Sequence, residues 1–297
     1  MKLFSTHNIT PEHEGLTIEQ YLKQVLLYSG RKLQKLTRLK GIRLNGKPAF
    51  LQRKLKAADH LQVMTFADTS YGVQPEPGQV DILYEDDHLM VLNKPAGQLV
   101  HPTGQTTSGT LANYLAFHLQ QHRITATIRP IHRLDRDTSG CVIFGKNAQS
   151  QAQLEQQLKE KVLQRTYLAL VKGIIQPAAG TIDAPIGPHP SKPNRRAITS
   201  QGQTAVTNYQ TIRIFQDASL VELSLETGRT HQIRLHLAHA GFPILGDGMY
   251  GVRSPLITRQ ALHAASVTFN HLGNQRKITV TAPLAIDIEN AINKITN

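Results

Sequence analysis

A single cysteine, Cys141, stands in the 297 residues, so an internal disulfide is excluded and a reducing compartment suits the chain. Its neighbours, GCVIFG, read as a buried strand, which makes Cys141 a core residue and not a nucleophile. No run of about 18 apolar residues occurs, so no membrane-spanning helix is expected. The opening segment MKLFSTHNITPEHEG has no apolar stretch of the secretory kind, and the chain is expected in the cytoplasm. Metal-ligand spacing is also missing. His118 and His122 stand four apart without the glutamate of a zinc-protease helix, and His236 and His239 find no third ligand, so no metal is expected. Ser139 lacks the GxSxG elbow of a serine hydrolase. The segment Gly246–Gly251, GDGMYG, is a literal GxGxxG. Pro255 soon follows it, no helix pattern opens, and residues 252–286 contain no Asp or Glu, so it reads as a glycine-rich turn and not a dinucleotide site.

Apolar residues make up 40% of the chain, enough for a real core, and the length is comfortable for two domains. The net charge is +12, and it is unevenly spread. Residues 1–66 hold 12 Lys and Arg against 4 Asp and Glu, while the remaining 231 residues hold 21 against 17. A basic excess concentrated in less than a quarter of the chain points to a polyanion partner, RNA or DNA first.

Residues 15–66 read as a separate module after an N-terminal extension, 1–14. Thr17 followed by Gln20 forms a capping box, and Ile18, Tyr21, Leu22, Val25 and Leu26 then keep one apolar helix face. Ser29 caps a second helix whose Leu33 and Leu36 face inward, with Leu39 as a third candidate and Gly41 as its stop. Arg31, Lys35 and Arg38 share the other face, with Lys32 and Lys40 close by. Ile42–Leu44 alternates into the hairpin signal Asn45-Gly46, and a further strand is expected near residues 60–65. Two short helices, the second basic, then a strand, an NGK turn and a closing strand resemble the S4-like RNA-binding domain. Residues 67–79, ADTSYGVQPEPGQ, read as a linker.

From Val80 the texture changes. Strand-like runs are expected at 82–84, 88–93, 141–146, 166–171, 205–213 and 220–225. Helices are expected over 110–121, about 150–161 and about 230–239, the last capped by Thr230. Without a strict βαβ rhythm, residues 80–297 read as an α+β domain on a mixed, largely antiparallel sheet.

Three segments of this domain carry chemistry. HRLDRDTSG at 132–140 packs two carboxylates among Arg133 and Arg136 before a buried strand, with one acid turned toward a cleft. In 161–173, KVLQRTYLALVKG, Tyr167, Ala169 and Val171 share one strand face. In 225–241, LETGRTHQIRLHLAHAG, Arg234 sits one turn into a short, mostly buried helix. Together these segments, with NKPAG at 93–97, His101-Pro102 and Leu262-His263-Ala264, resemble the RluA/RluD-type family of pseudouridine synthases along residues 80–285. An S4-like domain ahead of such a catalytic domain is a common arrangement of that family. Two departures are small: Leu272 follows His271 where proline is frequent, and the basic residue before Tyr167 is Arg165.

The resemblance implies conversion of uridine to pseudouridine in structured RNA, ribosomal RNA before transfer RNA. It makes Asp135 the catalytic carboxylate, Tyr167 the active-site aromatic and Arg234 the partner of Asp135. Such a partner favours the ionised carboxylate. Arg133, Arg136, Thr138 and Arg229 are then expected to contact RNA at the site, with Arg31, Lys32, Lys35, Arg38 and Lys40 doing so from the first module. Asp137 is assigned to structure. The reaction needs no cofactor, and a monomer without an obligate protein partner is expected. A non-catalytic RNA-binding factor with the same fold is the alternative. A hydrolase would need a second catalytic acid, and none can be nominated.

Overall fold

The computed structural model describes residues 3–296; Met1, Lys2 and Asn297, at the outer ends of the expected extension and second domain, lie outside the described residues. The first unit contains β1 (Phe4–Asn8), α1 (Ile18–Gln20), α2 (Gly30–Arg38), β2 (Ile42–Leu44), β3 (Lys47–Pro48) and β4 (His60–Met64). Both halves of the Thr17–Gln20 capping box form, and α1 runs on into a π-helical turn at Tyr21–Val25. Ser29 caps α2 by accepting the Lys32 N–H. Asn45 and Gly46 take φ of 51° and 79°, the paired left-handed values of a tight hairpin between β2 and β3. The sheet, ordered β1-β4-β2-β3, closes over Leu22, Leu36, Leu61 and Val63.

Three local expectations change here. Residues 4–8, read as extension, pair along their length with β4. Their alternation, Phe-Ser-Thr-His-Asn, is too polar to announce a strand, and only the partner's backbone makes them one. The stop of α2 falls on Lys40, at φ 49°, while Gly41 donates to the Leu36 carbonyl. A Cβ on Gly41 would lie 3.0 Å from the Met64 Cβ, so this glycine serves close packing under β4 and not the left-handed turn. The segment 67–79 is strapped to the second unit: Arg129 forks onto Asp68 at 2.6 and 2.9 Å, and the Tyr71 carbonyl accepts the Ile128 N–H.

The second unit is built on one large sheet. Its strands are β5 (Ile82–Glu85), β6 (Leu89–Lys94), β7 (Arg129–Pro130), β8 (Ser139–Gly145), β9 (Gln164–Lys172), β10 (Ala179–Asp183), β13 (Val206–Ile214), β14 (Ala218–Leu225), β15 (Leu262–Asn270) and β16 (Lys277–Thr281). The main path is β10-β13-β14-β9-β15-β8-β6-β5, with β16 on β15 and β7 on β8. A small hairpin, β11 (Ile186–Pro188) with β12 (Arg196–Ile198), stands apart. Pairing is antiparallel except between β8 and β15. Helices α3 (Leu111–Gln121), α4 (Ala148–Lys159), α5 (Gln232–His239) and α6 (Ile286–Thr296) cover it. No helix among the described residues is long and apolar enough to cross a membrane.

Alternation explains the unbroken apolar runs. In β6 and β8, Met90, Leu92, Val142 and Phe144 join one core cluster, while Leu89, Val91, Cys141 and Ile143 join another on the opposite face. Cys141 is fully buried there, and burial pushes its thiol pKa up to about 12. Gly140 sits where the one parallel pair brings two backbones together. Its φ is +108°, and a Cβ would stand 2.2 Å from the Ala264 carbonyl oxygen, so only glycine fits.

The same junction buries His263, whose Nδ1 lies 2.9 Å from the Ser139 hydroxyl. Burial, reinforced by Arg259, pushes its pKa down to about 4, and His132 is driven to about 3 by burial and Arg165. The unfolded chain therefore binds protons before the folded one as pH falls. This stability is complete above the unfolded histidine pKa and is lost on the way down to the folded values. For His263 the loss is on the order of 3 kcal/mol between pH 6.5 and about 4. Urea midpoints of His263→Gln should fall less steeply than wild type across that window; parallel curves would show that His263 is protonated in the fold.

Candidate active site

The segment Arg133–Thr138 forms a loop between β7 and β8, and its backbone is held at three consecutive carbonyls. The Asp135 carbonyl accepts the Thr138 N–H at 3.1 Å, that of Arg136 accepts Lys94 Nζ at 2.8 Å, and that of Asp137 accepts Arg259 Nη1 at 2.9 Å. Lys94 is fully buried and gives its other two protons to the Pro95 and Gln98 carbonyls, both at 2.7 Å. Burial pushes its pKa down to about 7. Arg259 is fixed in turn by Asp287, which takes its Nε at 2.6 Å and its Nη2 at 2.7 Å. The peptide that presents Asp135 is thus pinned from β6 and from the start of α6.

The Asp135 side chain is aimed by Arg234, whose Nη1 donates to Oδ2 at 2.9 Å. Arg234 itself is gripped from behind: its Nε and Nη2 donate to Asp247 at 2.7 and 2.9 Å. Asp247 is 1% exposed and also accepts the Met249 and Tyr250 N–H groups. Burial opposes the Arg234 charge, but the Asp247 and Asp135 carboxylates outweigh it and hold its pKa above the ordinary value. Burial likewise pushes the Asp247 carboxyl upward, and the Arg234 fork and two amides overcome this to leave it below the usual range. His231 stands beside the pair, with Nε2 3.9 Å from Asp135 Oδ2 and Nδ1 3.0 Å from the Tyr250 hydroxyl.

The helix carrying Arg234 starts later than its sequence promises. Its N-cap is His231 in a left-handed conformation, φ 60° and ψ 19°, and not Thr230. Just before it, the Gln232 side chain accepts the Arg229 N–H at 2.9 Å while its amide donates to Val206 and Thr207. A side-chain cap needs extended backbone at the cap position, and here that position is His231 in the left-handed region, with no side-chain cap bond.

Tyr167 points from β9 into a small pocket of about 70 Å³ that it shares with Asp135, Leu134, Leu225, Ile233 and Arg234. Burial raises its phenol pKa, with Asp135 adding to the effect, so it is neutral at neutral pH. The pocket opens on a cleft of about 1070 Å³ lined by Arg133, Arg136, Arg165 and Arg229 among others. Arg133, Arg136 and Arg229 are exposed there. An oriented carboxylate, a neutral aromatic and a basic cleft suit a polyanion that inserts one unit at a time.

Two expected RNA contacts change. Thr138 is 2% exposed, and its hydroxyl faces the Gln260 amide at 3.5 Å, because the turn from Asp135 folds position 138 back under the loop. Lys32 lies over the Tyr28 ring at 3.3 Å, and burial lowers its pKa to about 8. One residue past Arg31 on a helix turns about 100° toward the apolar side. Arg31, Lys35, Arg38 and Lys40 are exposed. Asp247, His231, Lys94 and Arg259 were missed. Asp247 lay in the GDGMYG turn, which proves to be the anchor of Arg234. Lys94 stood in NKPAG, where a lysine gives no sign of burial. Among the described residues no group of three or more His, Cys, Asp or Glu is placed to hold a metal.

Asp247→Asn leaves Arg234 with one carboxylate in a buried place. It should lower the unfolding free energy at pH 7 by about 3–5 kcal/mol, read from urea melts; an unchanged midpoint would mean that Arg234 is held by other groups.

Comparison with known proteins gives these residues a context. A family model described as RNA pseudouridylate synthase matches residues 88–239, which include Asp135, Tyr167 and Arg234. YhcT of Bacillus subtilis, an RNA pseudouridine synthase by name, is 40% identical over 284 residues, covering 95% of this chain and 94% of its own length. The ribosomal large subunit pseudouridine synthase D of Nitrosomonas europaea is 36% identical, covering 95% and 85%. Among solved structures, human RNA pseudouridylate synthase domain containing 1 superposes with a TM-score of 0.58 at 27% identity over 70% of this chain and 86% of that one. Human RNA pseudouridylate synthase domain containing 4 shares the fold, with a TM-score of 0.60 at 24% identity over 73% and 93%. A family model that spans half of the chain, and a relative 40% identical along nearly all of it, establish that the chain belongs to the RNA pseudouridylate synthase family, enzymes that isomerise uridine to pseudouridine in RNA.

Proposed function

We propose that Asp135 is the carboxylate through which this enzyme converts uridine to pseudouridine in structured RNA, with Arg234 orienting it and Tyr167 receiving the base. The observation that carries the reading is the 2.9 Å pair between Arg234 and Asp135 at a pocket shared with the buried phenol of Tyr167. In the isomerisation the C1′–N1 bond breaks, the uracil turns, C5 bonds to C1′, and the proton lost from C5 is balanced by one gained at N1. A fixed, ionised carboxylate meets the electron-poor C1′ as the base departs, as carboxylates do in glycoside cleavage. Tyr167 offers a flat, uncharged face to a uracil swung out of its stack. The chemistry is redox-neutral and is assigned to the side chains alone, in a cytoplasmic enzyme that acts as a monomer.

Ribosomal RNA is the favoured substrate and transfer RNA the second. The name of the Nitrosomonas europaea relative supports this order. The first unit is read as an S4-like RNA-binding domain whose exposed Arg31, Lys35, Arg38 and Lys40 meet phosphates; Arg133, Arg136 and Arg229 do so at the cleft.

Asp135→Asn should make no pseudouridine while binding RNA within a few-fold of wild type. Sequencing of pseudouridines across total RNA, with and without the protein, reads both the loss and the target. Turnover by the variant would sink the assignment. Replacing Arg31, Lys35 and Arg38 together by Gln should weaken RNA binding and flatten the slope of log affinity against log salt by about 2–3, with the urea midpoint kept; an unchanged slope would remove α2 from the RNA interface.

A further inference from the structure

Strand β9 alternates so that Arg165, Tyr167 and Ala169 share its inward face. Arg165 is 8% exposed, and three other arginine side chains of this unit lie about as deep, Arg129 at 11%, Arg234 at 8% and Arg259 at 9%. Those others are neutralised: Arg129 by Asp68, Arg234 by Asp247 and Asp135, Arg259 by Asp287. Arg165 differs. Among the described residues no carboxylate lies within ion-pair distance of it, and its Nε has no hydrogen-bond partner. Of the three acids that line the same cleft, Glu226 is engaged by Lys161 at 2.6 Å and Asp135 by Arg234 at 2.9 Å, and Asp137 forms no ion pair with Arg165. What Arg165 does have nearby is the Tyr167 phenol, whose pKa its charge lowers against the effect of burial, and His132, a neutral imidazole. Gly228 covers it without a side chain, and a Cβ there would touch both Nη atoms at 3.4 Å.

A buried guanidinium without an anion is costly to fold, so a missing counter-charge points to a ligand that brings one. Position decides which part of the substrate that is. Arg165 lines both the small pocket of Asp135 and Tyr167 and the wide cleft, so it stands at the neck between them. A nucleoside in the pocket stays joined to its strand in the cleft through its phosphodiesters, and these are the nucleotide's only permanent anions. We propose that Arg165 is the receptor for a phosphodiester flanking the target uridine, drawn into the neck as the nucleotide enters. This rests on Asp135 and Tyr167 marking the place of the reacting nucleoside. A guanidinium offers two parallel donors to a phosphate, and burial among neutral groups strengthens the pairing.

Arg165→Met keeps the length and apolar stem while removing the cation. It should melt at or above the wild-type temperature, bind RNA at least about tenfold more weakly, and lose about 0.7 from the salt slope. Arg165→Lys should recover part of the affinity. Inorganic phosphate should raise the melting temperature of wild type and of Asp135→Asn, but not of Arg165→Met. The phosphate source is then tested in RNA bearing the mapped target, with a neutral methylphosphonate placed 5′ or 3′ of that uridine. One of the two should cut wild-type kcat/KM at least about tenfold and leave Arg165→Met unaffected. Arg165→Met that melts lower with unchanged kinetics, a phosphate shift that survives it, or methylphosphonate losses that multiply with it would each overturn the proposal. Turnover by Asp135→Asn would instead overturn the reading of the catalytic carboxylate, while the phosphate shift still reports on Arg165.

Discussion

Arg234 carries a full positive charge in a buried position, and it holds there because Asp247 takes two of its N–H groups and Asp135 takes a third. The arrangement is directional. Asp247 is buried and held by two backbone amides, so it is the fixed end, while Asp135 lies at the cleft. A single arginine thus transmits the rigidity of the glycine-rich turn after α5 to the carboxylate in the loop before β8. The left-handed His231 and the Gln232 network serve the same chain, because they set where α5 begins and so where Arg234 points.

The other side of the Asp135 loop is fixed through its backbone rather than through its side chains. Lys94 and Arg259 take the carbonyls of Arg136 and Asp137, and each is committed to further partners. Both cations bind backbone carbonyls and leave the Asp135 carboxylate to Arg234. Here the polar anchoring comes from β6 and from the segment that leads into β15. Against this background of satisfied cations, Arg165 stands out through what it lacks, on the same strand face as the aromatic that lines the pocket.

Legibility followed range. Features set by neighbours in sequence were readable: the Thr17 capping box, the Asn45-Gly46 turn, the alternation of β9, and the apolar runs of β6 and β8. The three side chains Asp135, Tyr167 and Arg234 were nominated from motifs that the sequence displays whole. Features that need a partner from elsewhere were misread or missed. Residues 4–8 become a strand only because β4 lies beside them, Thr138 is buried by a turn, and Lys32 is drawn over Tyr28. The GDGMYG segment was read only as a glycine-rich turn, yet its aspartate proved to be the anchor of Arg234.

The sequence by itself determined the local grammar, the core faces, the uneven basic charge and the short segments that hold Asp135, Tyr167 and Arg234, because each depends on spacing along one element. The tertiary structure alone decided which charges meet. Asp135, Arg234 and Asp247 come from a loop, a helix and a turn that span more than a hundred positions, and charge pairing in a buried place depends on distance in space and exclusion of water, neither of which is written along the chain. That is why Arg234 and Arg165 look alike as letters, and why only the fold makes one a neutralised strut and leaves the other waiting for an anion.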